Sequence, residues 1–294
     1  MNIPTKKLKS GFELPVYGLS MWQMGGKLEA DYTNDQHEID AIRAAIDAGI
    51  THIDTAESYG AGHSEELLGE ASQGYDRSRL FIVTKVSSWN QTYDGVINAC
   101  KKSLKRLKTD YIDMYLLHQY PEPGIDIAET MKAMDELVTL GLVKNIGVSN
   151  MTPRRFDEAQ RHAKNKLVCN QIHYNVQYRE AEQKGVLNHA QDNDVMFVAW
   201  RPLQKGLLDN VPLIENLAIK YNKTPAQIEI NWLICQENVV VISKTSSIEH
   251  LKENLGALDF VMDKSDIELI RQNYPDQKMV SDVVPLDYPA DIAS

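Results

Sequence analysis

The feature that most constrains this chain is a rhythm. Short apolar runs alternate with longer amphipathic runs, and the alternation repeats eight times. The apolar runs are LPVYGLS (Leu14–Ser20), THIDTA (51–56), RLFIVTKV (Arg79–Val86), DYIDMYLLH (Asp110–His118), VKNIGVSN (143–150), LVCNQIHYN (167–175), DVMFVAWRP (194–202) and VVVISK (239–244). Each is short, bounded by turn formers and rich in apolar residues, as buried strands are. Between them lie segments with apolar residues at helical spacing. HEIDAIRAAIDAGI (His37–Ile50) stops at Gly49, and SEELLGEAS has Ser64 as its expected N-cap. YDGVINACKKSLKRL has a basic outer face, and IAETMKAMDELVTLG ends at Gly141. In TPRRFDEAQRHA, Thr152 stands at the cap and Pro153 at the first helical position. GVLNHAQDN, VPLIENLAIKYN and TPAQIEINWLICQ follow, with Trp232 read as core, and IEHLKENLGALD opens a final helix pair.

Strands separated by helices call for a parallel sheet. Eight such units fit a closed (β/α)8 barrel, typically about 250 residues, with a doubly wound sheet as the rival. The 294 residues carry no Gly/Ser-rich linker, composition break or low-complexity segment, so a single domain over 1–294 is expected. The opening KKLKSGFELP reads as a small hairpin, turning at Ser10-Gly11, that plugs the barrel floor. Lys and Arg number 31 against 41 Asp and Glu, a net charge of −10, which suits neither nucleic acid nor an anionic membrane surface. Cys100, Cys169 and Cys235 form no CxxC pair, so neither a zinc site nor a disulfide framework is indicated. MNIPTKKLKSGFELP lacks the apolar core of a signal peptide, and no run of about 18 apolar residues is present. The expectation is a cytoplasmic protein, monomeric or a small homo-oligomer, acting on a small molecule.

In such a barrel, chemistry sits where strands end and the following loops begin. The polar residues at those ends are Asp54, with Tyr59 in its loop, then Lys85, His118, Ser149 and Asn150, Asn170 and Gln171, Trp200 and Arg201, and Lys244. Each has an ordinary reading alone: a snorkelling lysine, a satisfied core histidine, a turn aromatic, an aspartate bonded to its own turn. Together, Asp54, Tyr59, Lys85 and His118 form a chemical set. A lysine ammonium favours the phenolate of an adjacent tyrosine and should pull its pKa down from about 10. The aspartate keeps the lysine charged and oriented, and the histidine can donate to a carbonyl oxygen. The product is a proton donor for an oxygen that has just received a hydride.

DTAESYG, the lysine after FIVT, LLH, GLVKNIGVSN, NQIHYN and ISKTSSIEHLKEN together resemble the aldo-keto reductases, over nearly the whole chain. The resemblance implies a (β/α)8 barrel that binds NADPH in an extended pose without a Rossmann domain. The GxGxxG pattern indeed fails here: Gly60 and Gly62 are followed by Glu65 at the third glycine's place. The resemblance also implies roles. Tyr59 is the general acid, Asp54 and Lys85 its tuners, and His118 orients the carbonyl. Ser149, Asn150 and Gln171 hold the nicotinamide carboxamide, and Trp200 stacks on its ring. Leu203 and Lys205 lie along the pyrophosphate, Lys244 and Thr245 meet the 2′-phosphate, and Glu253 and Asn254 lie near adenine. Trp22, Trp89, Tyr120 and His118 line the substrate pocket.

Three departures bear on the cofactor. His250 stands where the family often has an arginine on the 2′-phosphate, and histidine is a weaker, pH-dependent cation, so NADH remains possible beside NADPH. Arg201 and Lys205 replace small residues and are placed either at the pyrophosphate or in solvent. Ser243 precedes Lys244 where a proline is usual. Gln119, after His118, replaces a common tryptophan and makes the pocket more polar. The reading is NAD(P)H-dependent reduction of aldehydes or ketones to alcohols. The alternatives are a nicotinamide-binding redox sensor with negligible turnover, and a metal-dependent barrel hydrolase using His52, Asp54 and His118.

Overall fold

The computed structural model describes residues 3–203 and 211–286. A hairpin comes first: β1 (Thr5–Lys7) pairs antiparallel with β2 (Glu13–Pro15). Eight parallel strands follow, each trailed by helix. They are β3 (Tyr17–Ser20) and α1 (Asp35–Asp47), β4 (His52–Asp54) and α2 (His63–Ala71), β5 (Phe81–Val86) and α3 (Tyr93–Leu107), and β6 (Ile112–Leu117) and α4 (Ile127–Thr139). Next are β7 (Val143–Ser149) and α5 (Pro153–His162), then β8 (Leu167–His173) with the short α6 (Glu180–Gln183) and α7 (Val186–Asp192). Last are β9 (Met196–Trp200) with α8 (Pro212–Tyr221) and α9 (Pro225–Ile234), and β10 (Val239–Ser243) with α10 (Ile248–Leu255) and α11 (Lys264–Asn273). The sheet runs in sequence order from β3 to β10 and closes through Val241–Tyr17 and Ile242–Gly18 pairing. This is the (β/α)8 barrel that the alternation predicts.

Side chains of a strand alternate between its two faces, and here that splits the apolar residues into two bodies. Val83, Met114, Leu116, Cys169, Met196, Val198, Val240 and Ile242 fill the barrel interior. Their neighbours Ile82, Tyr115, Leu117, Ile146, Val148 and Val241 face the surrounding helices, where Trp232 is fully buried. The hairpin closes the floor: Leu8, Leu14 and Phe12 join the interior cluster, and Phe12 meets Phe81 edge-on at 6.0 Å. Its turn passes through Gly11 at φ +96.

Two local expectations change. Leu14–Ser20 is not one strand. Leu14 and Pro15 belong to β2, Val16 donates to the Pro4 carbonyl, and the barrel strand starts at Tyr17. Pro15 lacks the N–H that a barrel-ladder position requires. Ser64 is not an N-cap. The helix begins at His63 after Gly62, whose φ of +98 few side chains tolerate. Ser64 is instead buried, its hydroxyl 3.0 Å from that of Thr55 and donating to the Met21 carbonyl.

Helices α2 and α3 pack backbone to backbone at Gly69. A Cβ there would lie 2.2 Å from the Arg106 carbonyl oxygen. Replacing a helical glycine by alanine normally stabilises by about 1 kcal/mol. Here Gly69→Ala is expected to destabilise by about 2 kcal/mol through overpacking, read as a lower urea midpoint; an unchanged or raised midpoint would show that the helices separate freely.

Candidate active site

The strand alternation that fills the interior also carries it upward. Beyond Val83 on β5 the next inward position is Lys85, beyond Leu116 on β6 it is His118, and beyond His52 on β4 it is Asp54. The three strands are neighbours, so the three side chains meet in one layer above the apolar filling. Lys85 and Asp54 are both fully buried, with Lys85 Nζ donating to Asp54 Oδ1 at 2.6 Å. Nζ also donates to the Thr55 carbonyl at 2.8 Å and to the Tyr59 hydroxyl at 3.3 Å. An ammonium has three protons, and all three have an acceptor. The other carboxylate oxygen, Asp54 Oδ2, accepts from Gln171 Nε2 on β8 at 2.8 Å.

Burial pushes the Asp54 carboxyl up, with Lys85 pulling back. Burial works to lower the Lys85 ammonium, but Asp54 and Tyr59 outweigh it and the net direction is upward. Tyr59 departs from expectation. Burial is the larger influence and raises its hydroxyl above 10, while Lys85 pulls the other way without prevailing. The tyrosine is therefore a protonated donor at neutral pH. Burial and the nearby Lys85 charge push His118 down to about 3, so its imidazole is neutral.

The turn that presents Tyr59 is held by backbone contact. Gly60 has φ +54, donates to the Lys27 carbonyl at 2.7 Å, and sits where a Cβ would fall 2.1 Å from the Gly25 oxygen. The loop after β3 therefore docks on the turn and sets Trp22 edge-on to Tyr59, 4.9 Å between centroids. Glu57 braces the other side, accepting from Ser87 N at 2.7 Å and Asn90 Nδ2 at 3.0 Å, and so fixes the turn that carries the exposed Trp89. The Tyr120 hydroxyl donates to Glu158, and its ring lies under Arg155.

On the opposite rim, Asn150 takes φ +58 and donates to the Ser149 hydroxyl and the His118 carbonyl, while Trp200 Nε1 donates to its Oδ1 at 3.2 Å. His173 covers one face of Trp200, stacked at 4.5 Å and 17°, yet Trp200 remains partly exposed. Gln171 gives one of its two amide N–H groups to Asp54, which leaves its side-chain oxygen as an acceptor. Arg201 is partly buried, and its Nη1 pairs with Asp282 Oδ1 at 2.9 Å. Leu203 is half-buried, and Lys205 lies outside the described residues. Lys244 is exposed at the end of β10, beside the first turn of α10, which Ser247 caps and which presents the exposed His250. Thr245 is buried and turns its hydroxyl to the Ser247 carbonyl. Glu253 is half-buried, and Asn254 is buried with its amide on the Tyr17 hydroxyl. A partly open indole face, a lysine and a histidine beside a helix N-terminus and amide groups at the barrel rim fit a phosphorylated nicotinamide nucleotide. The metal alternative does not assemble: His52 is fully buried below Asp54, and no three His, Cys, Asp or Glu side chains converge as a metal site among the described residues.

Sequence reasoning missed the Thr55 carbonyl, which is a backbone group, and the Gln171–Asp54 bond, which needs the closure of the barrel. It also gave no roles to Glu57, Ser58 or His173.

The sequence model of the Aldo/keto reductase family matches residues 16–274. The methylglyoxal reductase YeaE of Escherichia coli is 34% identical over 272 residues, covering 90% of this chain and 93% of that protein. The glyoxal reductase of Bacillus subtilis is 32% identical, with 94% of each chain covered. Among solved structures, an aldo-keto reductase from Klebsiella pneumoniae in complex with NADPH superposes with a TM-score of 0.83 at 34% identity, covering 95% of this chain and 98% of that one.

Proposed function

The chain belongs to the aldo/keto reductase family, and from that premise we propose how its own residues carry out NADPH-dependent reduction of an aldehyde or ketone. The observation that carries the reading is the buried Lys85, with one proton on Asp54, one on the Thr55 carbonyl and one on Tyr59. NADPH, when bound, supplies the hydride. Trp200 would stack against the nicotinamide ring, and Ser149 and Asn150 would hold its carboxamide with the side-chain oxygen of Gln171. Lys244, Thr245 and His250 would take the 2′-phosphate at the start of α10, and Glu253 and Asn254 would lie near adenine. Leu203 would lie along the pyrophosphate; Arg201 ties the end of β9 to the C-terminal segment through Asp282.

The substrate oxygen lies between Tyr59 and His118. His118 donates to it as a neutral imidazole, and Tyr59 passes it a proton as charge develops. Lys85 stabilises the phenolate left behind, and Asp54 keeps that ammonium in place. In the reverse direction the phenolate is the base. Trp22 and Trp89 give the pocket apolar walls, and Gln119 makes it more polar. The relatives named for methylglyoxal and glyoxal support a small carbonyl compound as substrate.

NADPH oxidation with a panel of aldehydes and ketones tests this reading. Tyr59→Phe is expected to lower turnover by at least about 100-fold while NADPH affinity stays nearly intact. Turnover within about tenfold of the parent protein would remove Tyr59 as the acid, and tight cofactor binding without turnover in either protein would favour the sensor. In the same assay, Lys244→Ala is expected to weaken NADPH by about tenfold or more through loss of a charge-assisted contact, with little effect on NADH. Equal losses for both cofactors would place Lys244 away from the 2′-phosphate.

A further inference from the structure

We propose that Ser58 is a positioning residue: its hydroxyl donates to His118 Nδ1 and so keeps the imidazole proton on Nε2, where it can meet the substrate oxygen. The proposal rests on the reading of His118 as the carbonyl donor. Ser58 Oγ lies 3.4 Å from His118 Nδ1, a long contact in a site without substrate, where catalytic hydrogen bonds often tighten only once substrate is bound.

A neutral imidazole has one N–H, and the partner of one nitrogen decides which nitrogen carries it. Burial and the Lys85 charge keep His118 neutral, so the choice is real in this site. Were the proton on Nδ1, Nε2 would offer a lone pair to the lone pairs of the carbonyl oxygen, and polarisation would be lost.

The surroundings leave the choice to Ser58. The three protons of Lys85 are committed to Asp54, Thr55 and Tyr59. The Tyr59 ring meets His118 as a T-shaped contact at 5.6 Å. The His118 backbone is pinned on both sides, its N–H donating to the Val86 carbonyl and its carbonyl accepting from Asn150 Nδ2 at 3.1 Å. That fixes where the ring sits and leaves its protonation pattern open. Ser58 precedes the 3-10 turn Tyr59–Gly62 in the position of its cap, yet its side chain makes no capping bond. Its hydroxyl is therefore available to the histidine, and the residue before the general acid sets the state of the carbonyl donor.

The test uses the NADPH-bound enzyme labelled with 15N-histidine, with His118 assigned by loss of its signals in His118→Gln. The parent protein is expected to show the Nε2–H tautomer. Ser58→Ala is expected to lose that defined tautomer and to lower kcat/KM for the carbonyl about fivefold to tenfold, the scale of one hydrogen bond, with NADPH affinity unchanged. Ser58→Thr, which keeps the hydroxyl, is expected to restore both. Ser58→Ala with the Nε2–H signal intact and kcat/KM within about twofold would overturn the proposal. His118→Gln separates the two levels: if it costs nothing, His118 is not the carbonyl donor and the proposal falls with it; if it costs turnover while Ser58→Ala does not, only the role of Ser58 falls.

Discussion

Everything at the mouth of this barrel hangs on one buried ion pair, Lys85 with Asp54. Both side chains have no solvent exposure. Taking two charges out of water costs several kcal/mol per ion, and well-packed apolar residues in their place are often as stable or more so. The pair is fully supplied with hydrogen-bond partners. The ammonium has three acceptors, and the second carboxylate oxygen has Gln171. That satisfaction draws on β4 and the loop after it, on β5 and on β8, across the barrel. The charges therefore demand the barrel register, and the apolar layers below supply it. An expensive, fully coordinated charge next to a tyrosine hydroxyl makes sense as chemistry rather than as support.

Burial then acts on each titratable neighbour according to its charge. It holds Tyr59 protonated against the pull of Lys85, and it keeps His118 neutral. A neutral donor set facing a carbonyl is suited to an oxygen that gains negative charge only as the hydride arrives, because the stabilisation grows with that charge. In the proposed reaction Lys85 contributes most after the proton has left Tyr59, when a phenolate stands beside it. The rim adds rigidity from outside the barrel. His173 bonds Ser281 at 2.7 Å, Arg201 pairs with Asp282, and Glu180 accepts from the backbone of Ser281 and Leu286, so the C-terminal segment is tied to the ends of β8 and β9. Trp200 is thereby backed by the stacked rings of His173 and Tyr178.

Much of this was legible in the sequence because barrel architecture converts position into location. Period-two alternation within runs such as LFIVTKV fixes which residues enter the interior, and the end of the run fixes the height. Lys85 and His118 could be placed by that reasoning alone. What escaped it belongs to three physical kinds. Backbone acceptors such as the Thr55 carbonyl have no residue signature. Contacts across the closed barrel, such as Gln171 with Asp54, depend on shear that spacing does not reveal. Balances between opposing effects also escaped: the pairing of Lys85 with Tyr59 is visible in the sequence, but the depth of burial that reverses its net outcome is not. Pro15 shows the same limit on a smaller scale, since its place between hairpin and barrel decides that Leu14–Ser20 is two strands.

The most direct measurement is the pH dependence of kcat/KM in both directions, with NADPH and a reducible carbonyl and with NADP+ and the matching alcohol. Because burial raises the Tyr59 hydroxyl above its ordinary value near 10, the donor form is fully present below that value. It is lost only as pH rises through the folded pKa. Reduction is therefore expected to stay level through neutral pH and to decline only above about 10, while oxidation rises over the same alkaline range. A reduction profile that falls with a midpoint near 6 to 7, in the range of an ordinary histidine of about 6.5, would contradict the account, because the proton would then come from a group other than the buried tyrosine.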